Sequence, residues 1–158
     1  MEAWAYARAL HVLGVVLWIG GVSMVTLSLL PAATEIGPAD RPLQLFEQVE
    51  RRFARQSRWT TTLVGASGFY LVFSLDLWSR FTQPSHWWMA AMVIVWAVFS
   101  LMLFVLEPLV LHRWFERRAR RDPAGTMRLL LRMHWVLLAI SLLTIAGAVT
   151  GSHGVFLF

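Results

Sequence analysis

Apolar residues make up 58% of the 158-residue chain and charged residues only 15%, more apolar surface than a single soluble core of that size can hide, so lipid must cover part of it. No cysteine is present, which excludes disulfides, thiolate metal sites and thiol catalysis. The net charge of +5 rests on 14 basic residues, all arginine, and their placement beside apolar stretches points to membrane topology and anionic headgroups rather than to nucleic acid.

Four apolar stretches, at about 9–30, 59–77, 87–111 and 129–150, predict an all-α integral membrane four-helix bundle built as one domain over 1–158. The first follows an aromatic belt of Trp4 and Tyr6 and is closed by Pro31. It is too long for a signal-peptide core and no small-residue cleavage site follows, so it is expected to stay in the mature protein. The connection 32–58 opens with a turn-prone run from Glu35 to Pro42. From Leu43 onward Leu45, Phe46, Val49 and Phe53 recur at helical spacing among Glu47, Glu50, Arg51, Arg52 and Arg55, which predicts an amphipathic helix lying at the interface between spans one and two and leading into span two.

Spans two and three are separated by a short turn around Arg80, Gln83 and Pro84, so they are antiparallel neighbours. After span three, His112 to Arg121 forms a basic helical extension that Pro123 is expected to stop. Twelve arginines fall in the first and third connections, counted through Arg132, and only Arg8 and Arg80 on the other side. That asymmetry places both connections in the cytoplasm of a bacterial cell, with the protein multi-pass in the inner membrane and both termini outside.

Ionisable residues inside membrane spans are costly and need a reason, which draws attention to His11 and His134. The other histidines, His86, His112 and His153, lie at span ends. His11, Gly14, Trp18 and Gly21 follow helical steps of three, four and three, so one stripe presents an imidazole, two gaps and a large ring. Glycines beside a ligating histidine would let a flat macrocycle approach the backbone. The same pattern also serves close helix packing, with His11 simply hydrogen-bonded. Without thiolates, a metal here would be held by histidine, methionine, carboxylate or backbone groups, a set that suits haem iron or copper better than structural zinc.

The segment Ala9-Leu10-His11, with Trp18 seven residues on and Gly20-Gly21 after it, resembles the opening of the copper resistance protein D (CopD) family. It is also similar to the related HemJ family of bacterial membrane protoporphyrinogen oxidases, which bind haem b. Phe46-Glu47-Gln48-Val49-Glu50-Arg51-Arg52-Phe53 resembles the acidic-then-basic helix before span two in HemJ-like proteins. Four spans and an arginine-rich third connection agree. HemJ-like proteins carry a His and a Lys early in span three, where this chain has Ala90 and Ala91 and no lysine anywhere. The resemblance therefore implies the haem scaffold rather than the oxidase chemistry, and it names no catalytic residue; an enzyme, if the chain is one, would be a haem-dependent membrane oxidoreductase.

Depth constrains the ligand pairs. Span one descends from outside and span four ascends from inside, which separates His11 from His134 by on the order of 20 Å along the normal. They cannot share one iron, so His11 is expected to pair with His86 or His153, near Gly151 and Gly154, while His134 pairs with His112 or sits near Glu107. This arrangement predicts one or two haems. Two, one per leaflet, would form an electron wire with quinone or a membrane dehydrogenase as partner. Arg8, one turn above His11, is placed to meet a haem propionate. His112 at a helix C-terminus also answers the helix dipole, and His86 beside Trp87 and Trp88 suits an ordinary interfacial role.

Among the acids, Glu107 before Pro108 is expected to pair with Arg58 or Arg132, with proton uptake as its other role, and Asp76 with Arg80 four residues on or with Arg8. Small residues at Thr61, Gly65 and Gly68, and at Gly147 and Gly151, mark packing faces or room for a porphyrin. Met24, Met89, Met92, Met102, Met127 and Met133 keep copper binding or copper transport open as the alternative, since thioether suits Cu(I), although only Met89 and Met92 are close in sequence. No nucleophilic triad, phosphate loop or dinucleotide fingerprint is present. The expected partners are the lipid bilayer, a redox partner and a second copy of the chain in a homo-oligomer.

Overall fold

The computed structural model describes the backbone of residues 3–35 and 40–155, and their side chains except 33–35, 40–51, 111, 112 and 116. Every described element is helical. α1 (Ala3–Met24) passes through a π-helical turn, Val25–Leu29, into α2 (Leu30–Glu35). α3 spans Asp40–Ser74. Two 3-10 turns, Trp78–Thr82 and Pro84–His86, lead to α4 (Trp87–Leu101), which continues as a π-helix over Met102–Leu111. α5 (His112–Arg121) and α6 (Pro123–Ser152) complete the chain. Among the described residues three continuous helical stretches, Ala3–Ala32, Pro84–Val110 and Pro123–Ser152, are long and apolar enough to cross a membrane.

The principal packing pairs are α1 along α3 and α4 along α6, with smaller seams joining α3 to α4 and α1 to α6. One core cluster gathers Trp18, Ile19, Val22, Val64, Phe99 and Leu138, and a second gathers Val25, Leu30, Met127 and Leu130. Leu10, Val12, Leu13, Val16 and Leu17 of α1 and Leu142, Leu143 and Val149 of α6 point outward. Apolar side chains on the outside with hydroxyls inside is the distribution expected of a helix bundle solvated by hydrocarbon.

Glycines set how closely the helices approach. The space beside Gly21 is taken by the Phe53 ring, that beside Gly65 by Trp96, beside Gly147 by Trp87 and beside Gly151 by Trp88. In each case an aromatic ring from one helix lies against bare backbone on its neighbour, so the small-residue stripes are packing notches already filled by protein.

Three local expectations are refined. The amphipathic segment and the second apolar stretch form one helix: α3 runs unbroken through both, and Phe53, Ala54 and Ser57 pack into the bundle. Nothing between Pro42 and Gly65 breaks a helix, so the boundary at 58 marked a change of composition and not of backbone. At 1.5 Å per residue α3 is ~52 Å long, well beyond a ~30 Å hydrocarbon layer. The side chains of Leu45, Phe46, Glu47, Val49, Glu50 and Arg51, and the turn residues Ile36 to Ala39, lie outside the described residues.

Asp76 is not part of a helix-spaced pair with Arg80. It sits just past α3 with φ 49°, and Asp76 N donates to Phe73 O while Leu77 N donates to Val72 O, a Schellman stop with Asp76 in the left-handed position usually given to glycine. Pro123 is the first residue of α6 as well as the end of α5. Asp122 caps α6 by accepting from Gly125 N at 2.8 Å, and proline at the first helical position loses no hydrogen bond.

Candidate functional site

α1 and α3 bring His11 into the seam between them. Its Nδ1 lies 3.0 Å from Val64 O and 3.2 Å from Ser67 Oγ, and the Cε1 edge of the ring rests on Gly68. Ser67 donates its own proton to Leu63 O at 2.6 Å, so its oxygen is left to accept. Val64 O can only accept, so Nδ1 carries the proton and Nε2 keeps its lone pair. An imidazole held through Nδ1–H by a backbone carbonyl, with Nε2 presented, is the orientation that metal-ligating histidines adopt.

Two further histidines bond back within α6. His134 Nδ1 meets Leu130 O at 2.9 Å and His153 Nδ1 meets Val149 O at 2.8 Å, each a bond to the preceding turn of α6. His86 precedes α4, with Nδ1 3.1 Å from Ser85 Oγ and its ring 6.0 Å from that of Trp88. The His112 side chain lies outside the described residues. His86 and His153 occupy the same end of the bundle, because Trp88 seats on Gly151 and each histidine is two residues further out. Trp18 and Leu138 share one core cluster, with His11 seven residues above the first and His134 four below the second. The offset along the bundle is therefore ~16 Å, which keeps His11 and His134 at different levels.

Several expected contributors are engaged elsewhere. Gly14 faces α3, where Val64 Cγ2 fills its gap, and Trp18 is buried edge-on against Phe99 with ring centroids 4.8 Å apart. Arg8 is exposed and its guanidinium lies 5.1 Å from the centre of the Trp4 ring. Gly154 has φ +80° and forms the Schellman stop of α6, with Val155 N donating to Thr150 O at 3.0 Å, so it closes the helix after His153. The methionines do not share one environment: Met89 and Met127 are core residues and Met24 is half exposed. Among the described residues no group of three or more His, Asp or Glu side chains is close enough to share a metal ion.

For haem b these observations divide cleanly. The His11 imidazole has the tautomer and anchoring of a histidine that could hold the group, whereas the α1–α3 seam at Gly14 is occupied by Val64. A macrocycle held by His11 would lie outside that seam.

A second polar locus joins α3 to the π-helical part of the third apolar stretch. Arg58 Nη2 donates to Glu107 Oε2 at 2.9 Å and Arg58 Nε donates to Leu103 O at 3.2 Å. In the i→i−5 ladder of a π-helix, Leu103 O is the acceptor that the N–H of residue 108 would serve, and Pro108 has none. One guanidinium thus neutralises the carboxylate and satisfies the carbonyl that proline strands. The sequence offered Arg58 as a partner for Glu107; the carbonyl contact was missed, although Pro108 was its signal. Ser67 beside His11 was also missed, since nothing in sequence ties two residues 56 positions apart.

No protein-family model, curated protein or solved structure matches the chain.

Proposed function

We propose that the chain is a four-span protein of a bacterial inner membrane that binds b-type haem through His11 Nε2 and serves electron transfer. The observation that carries this reading is the cross-helix anchoring of His11: Nδ1 is committed to Val64 O and Ser67 on another helix, which fixes one tautomer and aims the second nitrogen. Bound haem b would supply one-electron exchange, and the protein would supply the ligand and an apolar, water-poor surround. The apolar half of α3 is the fourth span, with its arginine-rich N-terminal part on the cytoplasmic side together with α5. Outer histidines His86 and His153 are the candidates for a second ligand, and a quinone or membrane dehydrogenase is the class of partner.

The absorbance of detergent-purified protein tests this. A Soret band with α and β bands that sharpen on dithionite reduction is expected, and His11→Ala should remove them while His134→Ala leaves at least part. A colourless protein that binds copper would replace the haem reading with copper handling, and a protein that binds neither would leave a membrane scaffold. Topology is tested separately, because a chain without cysteine accepts single reporters. Ser79→Cys and Ser152→Cys should react with an impermeant maleimide on intact cells, and Arg120→Cys only after permeabilisation.

A further inference from the structure

Among the described residues eight hydroxyl side chains are buried, and six of them bond back to a carbonyl of the preceding turn: Thr26, Thr60, Ser67, Thr126, Ser141 and Thr144. Ser57 and Thr61, 1% and 0% exposed, do not; with Trp18 Nε1 and Ser100 Oγ, and apart from Trp88 Nε1 at the Gly151 end of the bundle, they are the buried polar side-chain atoms without a hydrogen-bond partner among the described residues. Helical serines and threonines in hydrocarbon normally take the preceding-turn bond because nothing else is offered, so leaving it unmade needs a different acceptor or donor.

These four groups lie at one depth. α1 and α3 are antiparallel, with Gly21 against Phe53, Gly14 against Val64 and His11 on Gly68, so Trp18 falls opposite the turn from Ser57 to Thr61. α3 and the third apolar stretch are also antiparallel, with Gly65 against Trp96 and Arg58 bonded to Leu103 O. That register sets Thr61 level with Ser100. Trp18 in turn touches Phe99, the neighbour of Ser100. Three helices therefore deliver an indole N–H and three hydroxyls to one level of the bundle interior.

We propose that Trp18, Ser57, Thr61 and Ser100 form a binding site for internal water. An indole can only donate and hydroxyls both donate and accept, which is the set that a water molecule, needing two to four polar partners, can satisfy. Thr61 lies three residues from Arg58 on one side and three from Val64 on the other, a rise of ~4.5 Å each way. The water site therefore lies between the Arg58–Glu107 pair and the His11–Ser67 pair along α3. This assignment does not depend on whether His11 binds iron.

The test is water contact at the indole protons of ¹⁵N-tryptophan-labelled protein in micelles, with resonances assigned by single Trp→Phe variants. Trp96 is the internal control, since its Nε1 donates to Thr61 O at 2.9 Å. The Trp18 indole proton should show a cross-peak to water and exchange faster than that of Trp96, despite its burial. Ser57→Ala with Thr61→Val should abolish the Trp18 cross-peak and leave the Trp96 resonance in place, because valine keeps the carbonyl. A Trp18 proton as protected as Trp96, without a water cross-peak, overturns the proposal. So does a cross-peak unchanged in the double variant. If that variant does not fold, the comparison of Trp18 with Trp96 in the unaltered protein still decides.

Discussion

The coupling between Arg58 and Pro108 gives the sharpest quantitative expectation. Arg58→Met removes the bond to Glu107, a charge-assisted contact of about 1.5–3 kcal/mol that belongs at the low end because both groups are about one-third exposed. It also removes the bond to Leu103 O, ~1 kcal/mol, and leaves that carbonyl unserved. The expected loss is about 3 kcal/mol. Pro108→Ala supplies an N–H to the same ladder, so Arg58→Met in that background should lose little beyond the ion pair, ~2 kcal/mol. A double-mutant cycle followed by denaturant unfolding in mixed micelles should thus return a coupling of ~1 kcal/mol, above the ~0.5 kcal/mol within which independent sites add. Strict additivity would refute the assignment of Arg58 as the substitute for the missing proline N–H.

Gly65→Ala should destabilise by ~1–3 kcal/mol in the same assay, because its methyl would meet the Trp96 ring at 2.7 Å and push it off the Thr61 carbonyl. Gly20→Ala, with nothing within 4 Å, should be neutral or stabilising by up to ~1 kcal/mol. At the α3 stop, Asp76→Gly should stabilise by up to ~1 kcal/mol and Asp76→Val should destabilise, since φ 49° costs glycine nothing and a β-branched residue most; equal melting temperatures for the two variants would contradict the Schellman geometry. Asp122→Ala should cost ~1 kcal/mol through loss of the α6 cap, with Asp122→Ser retaining most of it.

The class of molecule was legible because it depends on sums along the chain. Apolar length, the absence of cysteine and the arginine asymmetry need no partner residue, and they led to an all-helical membrane reading and to three of the spans. Burial of polar groups was legible in kind: His11 and Glu107 stood out because an ionisable group in an apolar run requires compensation. What compensates them was not. Arg58 and Arg132 were equal candidates for Glu107 until packing of α3 against the third stretch selected Arg58.

The glycine stripes show the same division. Gly14, Gly21, Gly65, Gly147 and Gly151 announce close approach, but a gap for a porphyrin and a gap for a neighbouring ring are identical as one-dimensional patterns. Only tertiary structure filled them, with Val64, Phe53, Trp96, Trp87 and Trp88. The helix through residues 53–58 is continuous because polarity changes there while backbone propensity does not. By itself the sequence determined that this chain is helical, carries stretches long and apolar enough to cross a membrane, and holds imidazoles inside apolar runs, since each follows from composition or local spacing. Which carbonyl holds His11, which cation answers Glu107, and which hydroxyls share one depth were decided by the registers of α1 on α3 and of α3 on the third stretch. Those registers come from shape complementarity between residues distant in sequence, which no local pattern encodes.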